Sequence, residues 1–204
     1  MAYTTIDDPS AFFHVNLHTG NETNNTDITF NANAGDFQPD WIWFKGRTSS
    51  AIDHALFDSS RGTTKILSTN NTDDENAQGS TLKAFNSNGF RVGDDAGDYG
   101  VNKSGRTYVT WNWKCNGGSA SASGSESGNN VAYSRQTNTT AGFSIITYTG
   151  IGTSSSGSPV VPHGLGVVPD MLIIKNRSSN STDWAVWFKV ENSAGTNVFQ
   201  GFDT

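Results

Sequence analysis

Two stretches of the chain follow the same plan at a fixed distance. Residues 37–45 and 167–175 each contain Pro-Asp, then four large apolar residues, then a lysine. The residue numbers of Pro39 and Pro169 differ by 130, and those of Lys45 and Lys175 differ by the same amount. The Pro-Asp pair disfavours a helix, and so short a continuous apolar run is typical of a strand that is buried on both faces. The fold must therefore bury such a strand twice.

The same offset in residue number, 130, holds well outside these two stretches. The further matches are Phe13 with Phe143, Thr19-Gly20 with Thr149-Gly150, Arg47 with Arg177, and residues 53–57 with 183–187. A shift of three more matches residues 62–63 with 195–196. An ungapped offset over such a distance indicates two copies of one domain. We call residues 11–116 the first repeat and residues 141–204 the second repeat.

The composition favours strands and argues against several classes of function. The chain has 204 residues, is rich in Gly, Asn, Ser and Thr, and is 11% aromatic, a balance that suits short strands joined by turns. Its net charge is −6 with acids and bases scattered, so it has no basic face for nucleic acid. It has no long apolar or basic amphipathic segment for a membrane. The single cysteine, Cys115, allows no intrachain disulfide.

Alternating side chains predict how individual strands are oriented. Phe13, Val15 and Leu17 alternate with His14 and His18, which predicts a half-buried strand with both histidines facing solvent. Four residues along a strand separate the two imidazoles by about 13 Å, too far to share a metal ion.

Two further strand patterns lie later in the first repeat. Residues 82–92 predict a hairpin in which Phe85 and Phe90 flank an Asn-Ser-Asn-Gly turn. Residues 107–114 alternate so strictly, with Trp111 and Trp113 on one face, that they predict a strand.

The domain organisation follows from these repeats. Residues 1–10 form a polar N-terminal arm, and residues 117–140 form a Gly/Ser-rich linker and lead-in to the second repeat. The second repeat contains no counterpart of the hairpin or of the Trp111/Trp113 strand before Thr204. We therefore expect it to be incomplete, with the natural protein continuing past Thr204 or, less favoured, another chain completing the fold.

Few residues suggest chemistry. No strand carries two acids on one face, as glycoside hydrolysis would need, and no Gly-x-Ser-x-Gly elbow is present. His163 is interpreted as a turn histidine. We predict no catalytic residue, cofactor or metal, although oxygen-rich loops leave calcium open. The candidate ligand-binding residues are Asp73, Asp74, Glu75, Asp94, Asp95, Asp98 and Trp184. They lie in or beside the polar loops 73–78 and 94–100, apart from Trp184, and the loop 153–158 is a third candidate.

Several segments resemble a repeated domain of virion proteins of marine tailed bacteriophages, including those of cyanobacteria. The resemblance rests on residues 2–10, 85–90, 108–114 with the Gly/Ser linker that follows, 141–150 and 162–171. It implies tandem antiparallel β-sandwiches of a lectin-like, concanavalin/SPRY-like kind. It carries no functional residues over to this chain.

The resemblance also implies a function and a location. We expect a non-enzymatic virion component, most of all a tail fibre or tail appendage involved in host-surface attachment. It would be made in the host cytoplasm and exposed on the particle, as a homo-oligomer with a trimer favoured, in contact with other virion proteins and with a host-surface glycan. Tyr3, Ile6, Asp7 and Asp8 of the N-terminal arm are candidate particle-docking residues. A capsid decoration or head-fibre protein and a carbohydrate-binding module are the alternatives.

Overall fold

The computed structural model confirms the predicted all-β architecture. It describes residues 6–31, 35–48, 52–94, 99–125, 131–152, 160–191 and 197–203. The described part of the chain has no α-helix, only a short 3-10 helix at Pro9–Ala11. The strands in the first repeat are β1 (Phe13–Thr19), β2 (Thr26–Thr29), β3 (Trp41–Gly46), β4 (Ala55–Asp58), β5 (Lys65–Ser68), β6 (Asn76–Ala77), β7 (Leu82–Asn86), β8 (Gly89–Val92) and β9 (Thr107–Trp113). The later strands are β10 (Ala122–Ser125), β11 (Ala132–Asn138), β12 (Phe143–Tyr148), β13 (Met171–Ile174), β14 (Ala185–Glu191) and β15 (Asn197–Asp203).

The first repeat is a sandwich of two antiparallel sheets. The larger sheet has the strand order β1-β9-β3-β4-β5-β6, and the smaller has the order β2-β8-β7. Both contribute to one buried core, in which the rings of Phe44, Phe57 and Phe90 meet edge to face. Alternation along β3 directs Ile42 and Phe44 into this core. The predicted hairpin is present as β7 and β8, with Phe85 opposite Phe90.

The second repeat reproduces part of this arrangement in the same register. Trp41 lies opposite Asp58 in the β3–β4 ladder, and their counterparts Met171 and Phe188 lie opposite each other in the β13–β14 ladder. The other pairs of the two ladders correspond at the same offset. The next strand differs. β14 keeps the offset of 130 from β4, but Asp203 of β15, which lies opposite Ala185, is 135 positions after Ser68 of β5, which lies opposite Ala55. Residues 195–196, matched at an offset of 133 in the sequence, lie outside the described residues.

The segment predicted to be a linker and lead-in contains strands. β10 and β11 pair with each other and continue into β12, giving a three-stranded antiparallel sheet. Gln136 of β11 is buried and anchors this sheet to the first repeat, since its amide group donates to Ser59 Oγ at 2.8 Å and to Ser60 Oγ at 2.7 Å. The Ser- and Gly-rich composition of this segment therefore does not prevent it from pairing as strands in a sheet. The division of the chain at residues 116 and 141 stays a prediction.

The predicted orientation of β1 is wrong. Val15 is 43% exposed and Leu17 is 61% exposed, while His18 points into the sandwich. The reason is the register with β9, which sets His18 opposite the fully buried Tyr108 and Val15 opposite Trp111. Opposite residues share a face of a sheet, so the face that holds Tyr108 receives the histidines. Imidazole here packs as an aromatic ring, and His14 likewise lies against Phe30.

The prediction that the central apolar strand is buried on both faces is wrong for the second repeat. Met171 and Ile173 of β13 are 45% and 41% exposed. In the first repeat, the equivalent strand β3 lies between two neighbouring strands and under the smaller sheet. Within the described residues β13 pairs with β14 alone and has no covering sheet. An apolar sequence is thus left at the surface because the elements that would cover it are not present in this part of the fold.

The two repeats pack together through one face of the larger sheet. Trp41 and Trp113 project from that face and contact Phe143 of β12, with ring centroids 6.1 and 6.3 Å apart. Trp184 of the second repeat packs on Leu56 of the same face. The tryptophans of β3 and β9 are therefore half-buried on this outer face rather than part of the sandwich core.

His18 is the most enclosed of the core histidines. Its ring stacks on Tyr108 with centroids 5.0 Å apart and meets Phe44 and Phe90 edge-on. Its Nε2–H donates to the carbonyl oxygen of Val101 at 3.0 Å. Burial lowers the pKa of this imidazole, and the hydrogen bond to Val101 opposes the effect. The folded state therefore favours the neutral ring.

This environment predicts a loss of stability in mild acid. The unfolded chain, in which His18 has its ordinary pKa of about 6.5, binds a proton at a higher pH than the folded chain. The contribution of the neutral His18 ring to the free energy of unfolding is complete above the pKa of the unfolded chain and declines as the pH falls below that pKa. Guanidinium unfolding curves from pH 8 to pH 5 should show this decline, and His18→Phe should flatten it. Leu17→Phe, an exposed change on the same strand, should keep the slope of the unchanged protein; equal slopes for both variants would contradict the assignment.

Candidate functional site

The polar loop 73–78, which contains Glu75, lies between the two repeats. Glu75 is nearly buried, and its carboxylate accepts from Arg61 Nη1 at 3.2 Å and pairs with Arg177 Nε at 3.0 Å. Its backbone N–H also donates to the carbonyl oxygen of Arg177 at 3.0 Å. Arg61 belongs to the first repeat and Arg177 to the second, so one carboxylate joins both. Glu75 thus makes internal contacts, and its role as a ligand-binding residue stays a prediction.

Arg61 is the buried cation of this cluster. Its guanidinium pairs with Asp58 and donates to the carbonyl oxygens of Leu56 and Lys65 at 3.3 and 3.2 Å. A guanidinium has five N–H donors in a fixed plane, and this many acceptors are what a buried one requires. The turn at 58–62 is therefore held to β4, β5 and the Glu75 loop at the same time.

Thr72, beside the loop, also contacts the second repeat. Lys175 Nζ donates to the carbonyl oxygens of Thr72 at 3.0 Å and of Thr182 at 2.7 Å. Burial lowers the pKa of Lys175, and the negative charges of Asp73 and its neighbours oppose this effect. Asp73 also accepts from Asn71 Nδ2 at 2.9 Å. Asp74 is exposed and is the one acid of this loop that faces solvent.

Trp184 packs against the first repeat. It is 7% exposed, packs on Leu56 and Leu67, and donates its indole N–H to the carbonyl oxygen of Ser68 at 2.9 Å. The second repeat turns this side chain toward the first repeat, and its role as a ligand-binding residue stays a prediction.

The remaining predicted residues do not form a common site among the described residues. Asp94 is exposed, while Asp95, Asp98 and the loop 153–158 lie outside the described residues.

In the N-terminal arm, Tyr3 also lies outside the described residues. Ile6 is half-buried and Asp7 is exposed, and Asp8 accepts from Ser10 N and Oγ at 3.0 and 2.6 Å at the start of the 3-10 helix. His163 Nδ1 accepts from Leu165 N at 3.2 Å, a local turn contact.

Sequence reasoning missed a second polar centre, at Asp40. Its buried carboxylate accepts from Ser59 Oγ and from the backbone N–H of Cys115, both at 2.6 Å, and from Gly117 N at 3.0 Å. It therefore ties the end of β9 to the turn after β4. The equivalent Asp170 is exposed and pairs with Lys189. The shared Pro-Asp motif indicated a turn, but nothing in it distinguished a buried acid from a surface one.

A partly open space lies between the repeats beside Asp58, Arg61 and Arg177. It has a volume of about 110 Å³, and its lining includes Trp41 of the first repeat and Ile145, Ile173 and Trp184 of the second. Across the described ranges, no group of three or more His, Cys, Asp or Glu side chains is placed to hold a metal ion. No helix in this part of the chain is long and apolar enough to cross a membrane.

Comparison with known sequences assigns the chain to a family. It belongs to the family described as domain of unknown function DUF7483, whose match covers residues 8–200 and so extends through both repeats and the segment between them. No curated protein and no solved structure matches the chain.

Removing the Glu75 carboxylate should destabilise the protein. Glu75→Gln leaves Arg61 short of one anionic acceptor, and a hydrogen bond to a charged group contributes about 1.5–3 kcal/mol. We expect the free energy of unfolding in guanidinium to fall by that amount. Asp74→Asn is the matched control, since it removes a neighbouring exposed charge and should change stability by less than about 0.5 kcal/mol. Equal effects of the two substitutions would show that Glu75 does not join the repeats.

Cys115 should be unreactive until the protein unfolds. Burial and the negative charge of Asp40 raise the pKa of its thiol to about 12, and only the thiolate is nucleophilic. An aromatic disulfide reagent at about pH 8 should therefore modify the folded chain far more slowly than the chain in concentrated guanidinium. Similar rates in the two conditions would contradict the described burial of the thiol.

Proposed function

We propose that this chain is a structural, non-enzymatic component of a tailed-phage virion, most of all a tail fibre or tail appendage that takes part in host-surface attachment. The support from sequence is the resemblance of residues 2–10, 85–90, 108–114, 141–150 and 162–171 to virion proteins of marine phages. The support from structure is an all-β, sandwich-like fold with two repeats packed on one another. The proposal places the protein on the particle surface after synthesis in the host cytoplasm.

One observation carries this proposal: the groups that look like a ligand site are used inside the molecule. Glu75 and Trp184 join the repeats instead of facing solvent. The large apolar side chains that are exposed include Leu17, Met171 and Ile173 on sheet strands. Exposed apolar strand surface suits permanent association with other proteins better than capture of a small polar ligand. The partners we propose are other virion proteins and further copies of this chain in a trimer.

Host contact and docking are separate parts of the proposal. Polar loops on a rigid sandwich suit contact with a host-surface glycan, and Asp74 and Asp94 are the exposed acids of the candidate loops. The arm that contains Tyr3, Ile6, Asp7 and Asp8 would dock the protein on the particle. A chain lacking residues 1–10 should then fold but fail to enter particles.

The location on the particle tests the main proposal. Antibodies against the purified chain should label phage particles from the lysate that contains it, and cryo-electron microscopy should place the label at the tail. Regular label over the head shell would make the chain a capsid decoration protein. Chain found only free of particles, and retained on a glycan array, would make it a carbohydrate-binding module. Either of these outcomes would overturn the tail assignment.

A further inference from the structure

The face of β1 that lies inside the sandwich is polar throughout. Its three residues are His14, Asn16 and His18, each opposite a fully buried residue of β9. The apolar residues between them, Val15 and Leu17, face outward and are largely exposed. β1 pairs with β9 alone among the described strands. The contacts of β1 with the interior of the sandwich are therefore made by two imidazoles and an amide.

His14 packs between the two sheets. Its ring lies 4.7 Å from that of Phe30, directly after β2. Asn112 of β9 lies opposite and donates from Nδ2 to the carbonyl oxygen of His14 at 3.0 Å. The Nε2 atom of His14 is buried and has no hydrogen-bond partner within the described residues. Burial lowers the pKa of this imidazole, and no charged group contributes.

His18 has surroundings of the same kind. The groups that contact it come from β3, β8, β9 and the segment before β9, and they are the rings of Phe44, Phe90 and Tyr108 and the carbonyl oxygen of Val101. Tyr108 has the titratable side chain of this set, and its hydroxyl accepts from Lys103 N at 3.0 Å. His18 Nδ1 is buried and, like His14 Nε2, has no partner in the described part of the chain.

A proton added to either ring makes a buried nitrogen into an unsatisfied donor. A neutral imidazole can keep one nitrogen as a lone pair, whereas an imidazolium carries N–H groups on both. In His18, Nε2–H already donates to Val101, so the added proton goes to the unpartnered Nδ1. A buried charge and a buried donor without an acceptor are both unfavourable. Separation of β1 from the sandwich lets water solvate the charged rings.

We propose that β1 is an acid-released strand, which in mild acid separates from β9 and from the smaller sheet while the other strands of the first repeat stay paired. β9 keeps its ladder with β3 when β1 leaves. The buried apolar cluster of the first repeat contains no residue of β1 in the part of the chain that the structure describes. This release is a property of the fold and is independent of where the protein acts.

The direction of the pH dependence follows from proton uptake. In the open strand each histidine has its ordinary pKa of about 6.5, and in the closed strand it binds a proton only at lower pH. Between those two pKa values each histidine increases the opening constant about tenfold per pH unit. From pH 6.5 to about pH 5.5, we therefore expect the opening constant to rise about tenfold to a hundredfold.

Amide hydrogen exchange followed by NMR measures this opening. The N–H groups of His14, Asn16 and His18 face β9, because Gly20 N, two residues past His18, donates to Arg106 O and alternate residues share its direction. Their protection factors, corrected for the intrinsic pH dependence of exchange, should fall about tenfold to a hundredfold over that pH unit. At each pH the amides of β3 that face β4 should stay at least about tenfold better protected, since they exchange when the whole repeat unfolds.

Substitutions show whether the histidines cause the release. His14→Phe combined with His18→Phe keeps an aromatic ring at both positions and removes both titratable groups, so the protection of the Asn16 amide should not change from pH 6.5 to about pH 5.5. His54→Phe is the matched control. The pKa of His54 is also lowered, chiefly by burial, but His54 lies just before β4. This control should respond to acid like the unchanged protein.

The unchanged protein decides the matter even if the doubly substituted chain does not fold. Equal protection of the β1 and β3 amides at each pH would mean that β1 opens only when the whole repeat unfolds. Protection of β1 that is constant with pH would mean that its histidines do not drive opening. Either result would overturn the proposal, as would an acid response that survives the double substitution or is lost in the His54→Phe control.

Discussion

The carboxylate of Glu75 holds the two repeats in one arrangement. It lies between a buried guanidinium of the first repeat, Arg61, and Arg177 of the second. Burying charges has a high desolvation cost unless their hydrogen bonds are complete, so the nearly buried Glu75 is most stable with both arginines in place. The aromatic contact of Phe143 with Trp41 then forms at a fixed distance. Apolar packing supplies the buried area of the interface between the repeats, and the polar cluster fixes their relative orientation.

The resulting architecture differs from two independent sandwiches. The first repeat has its own core between two sheets, whereas the described part of the second repeat has strands but no covering sheet. Its buried apolar residues, such as Ile145 and Trp184, face the first repeat. The described part of the second repeat therefore depends on the first for its burial.

Much of the strand content could be predicted from the sequence, and most of the candidate site could not. The alternation of residues 107–113 and the turn beside Phe85 and Phe90 are local signals, and both correspond to elements of the structure. Which face of β1 is buried depends on its register with β9, a strand far along the chain, so the local pattern assigns His18 and Leu17 to the wrong sides. The acids are ambiguous for a similar reason. Glu75 and Asp74 are adjacent and look alike in sequence, and only the positions of Arg61 and Arg177 in the fold distinguish the buried one.

The central claim is that the two repeats form one cooperative unit, joined through Glu75 and the aromatic face. Hydrogen exchange followed by mass spectrometry across a guanidinium titration measures this directly, because it reports opening of each segment separately. We expect peptides from β3 and β9 and peptides from β13 and β14 to lose protection in one transition with a common midpoint. Loss of protection in the second repeat at clearly lower denaturant, with the first repeat still closed, would show two independent domains and contradict the account.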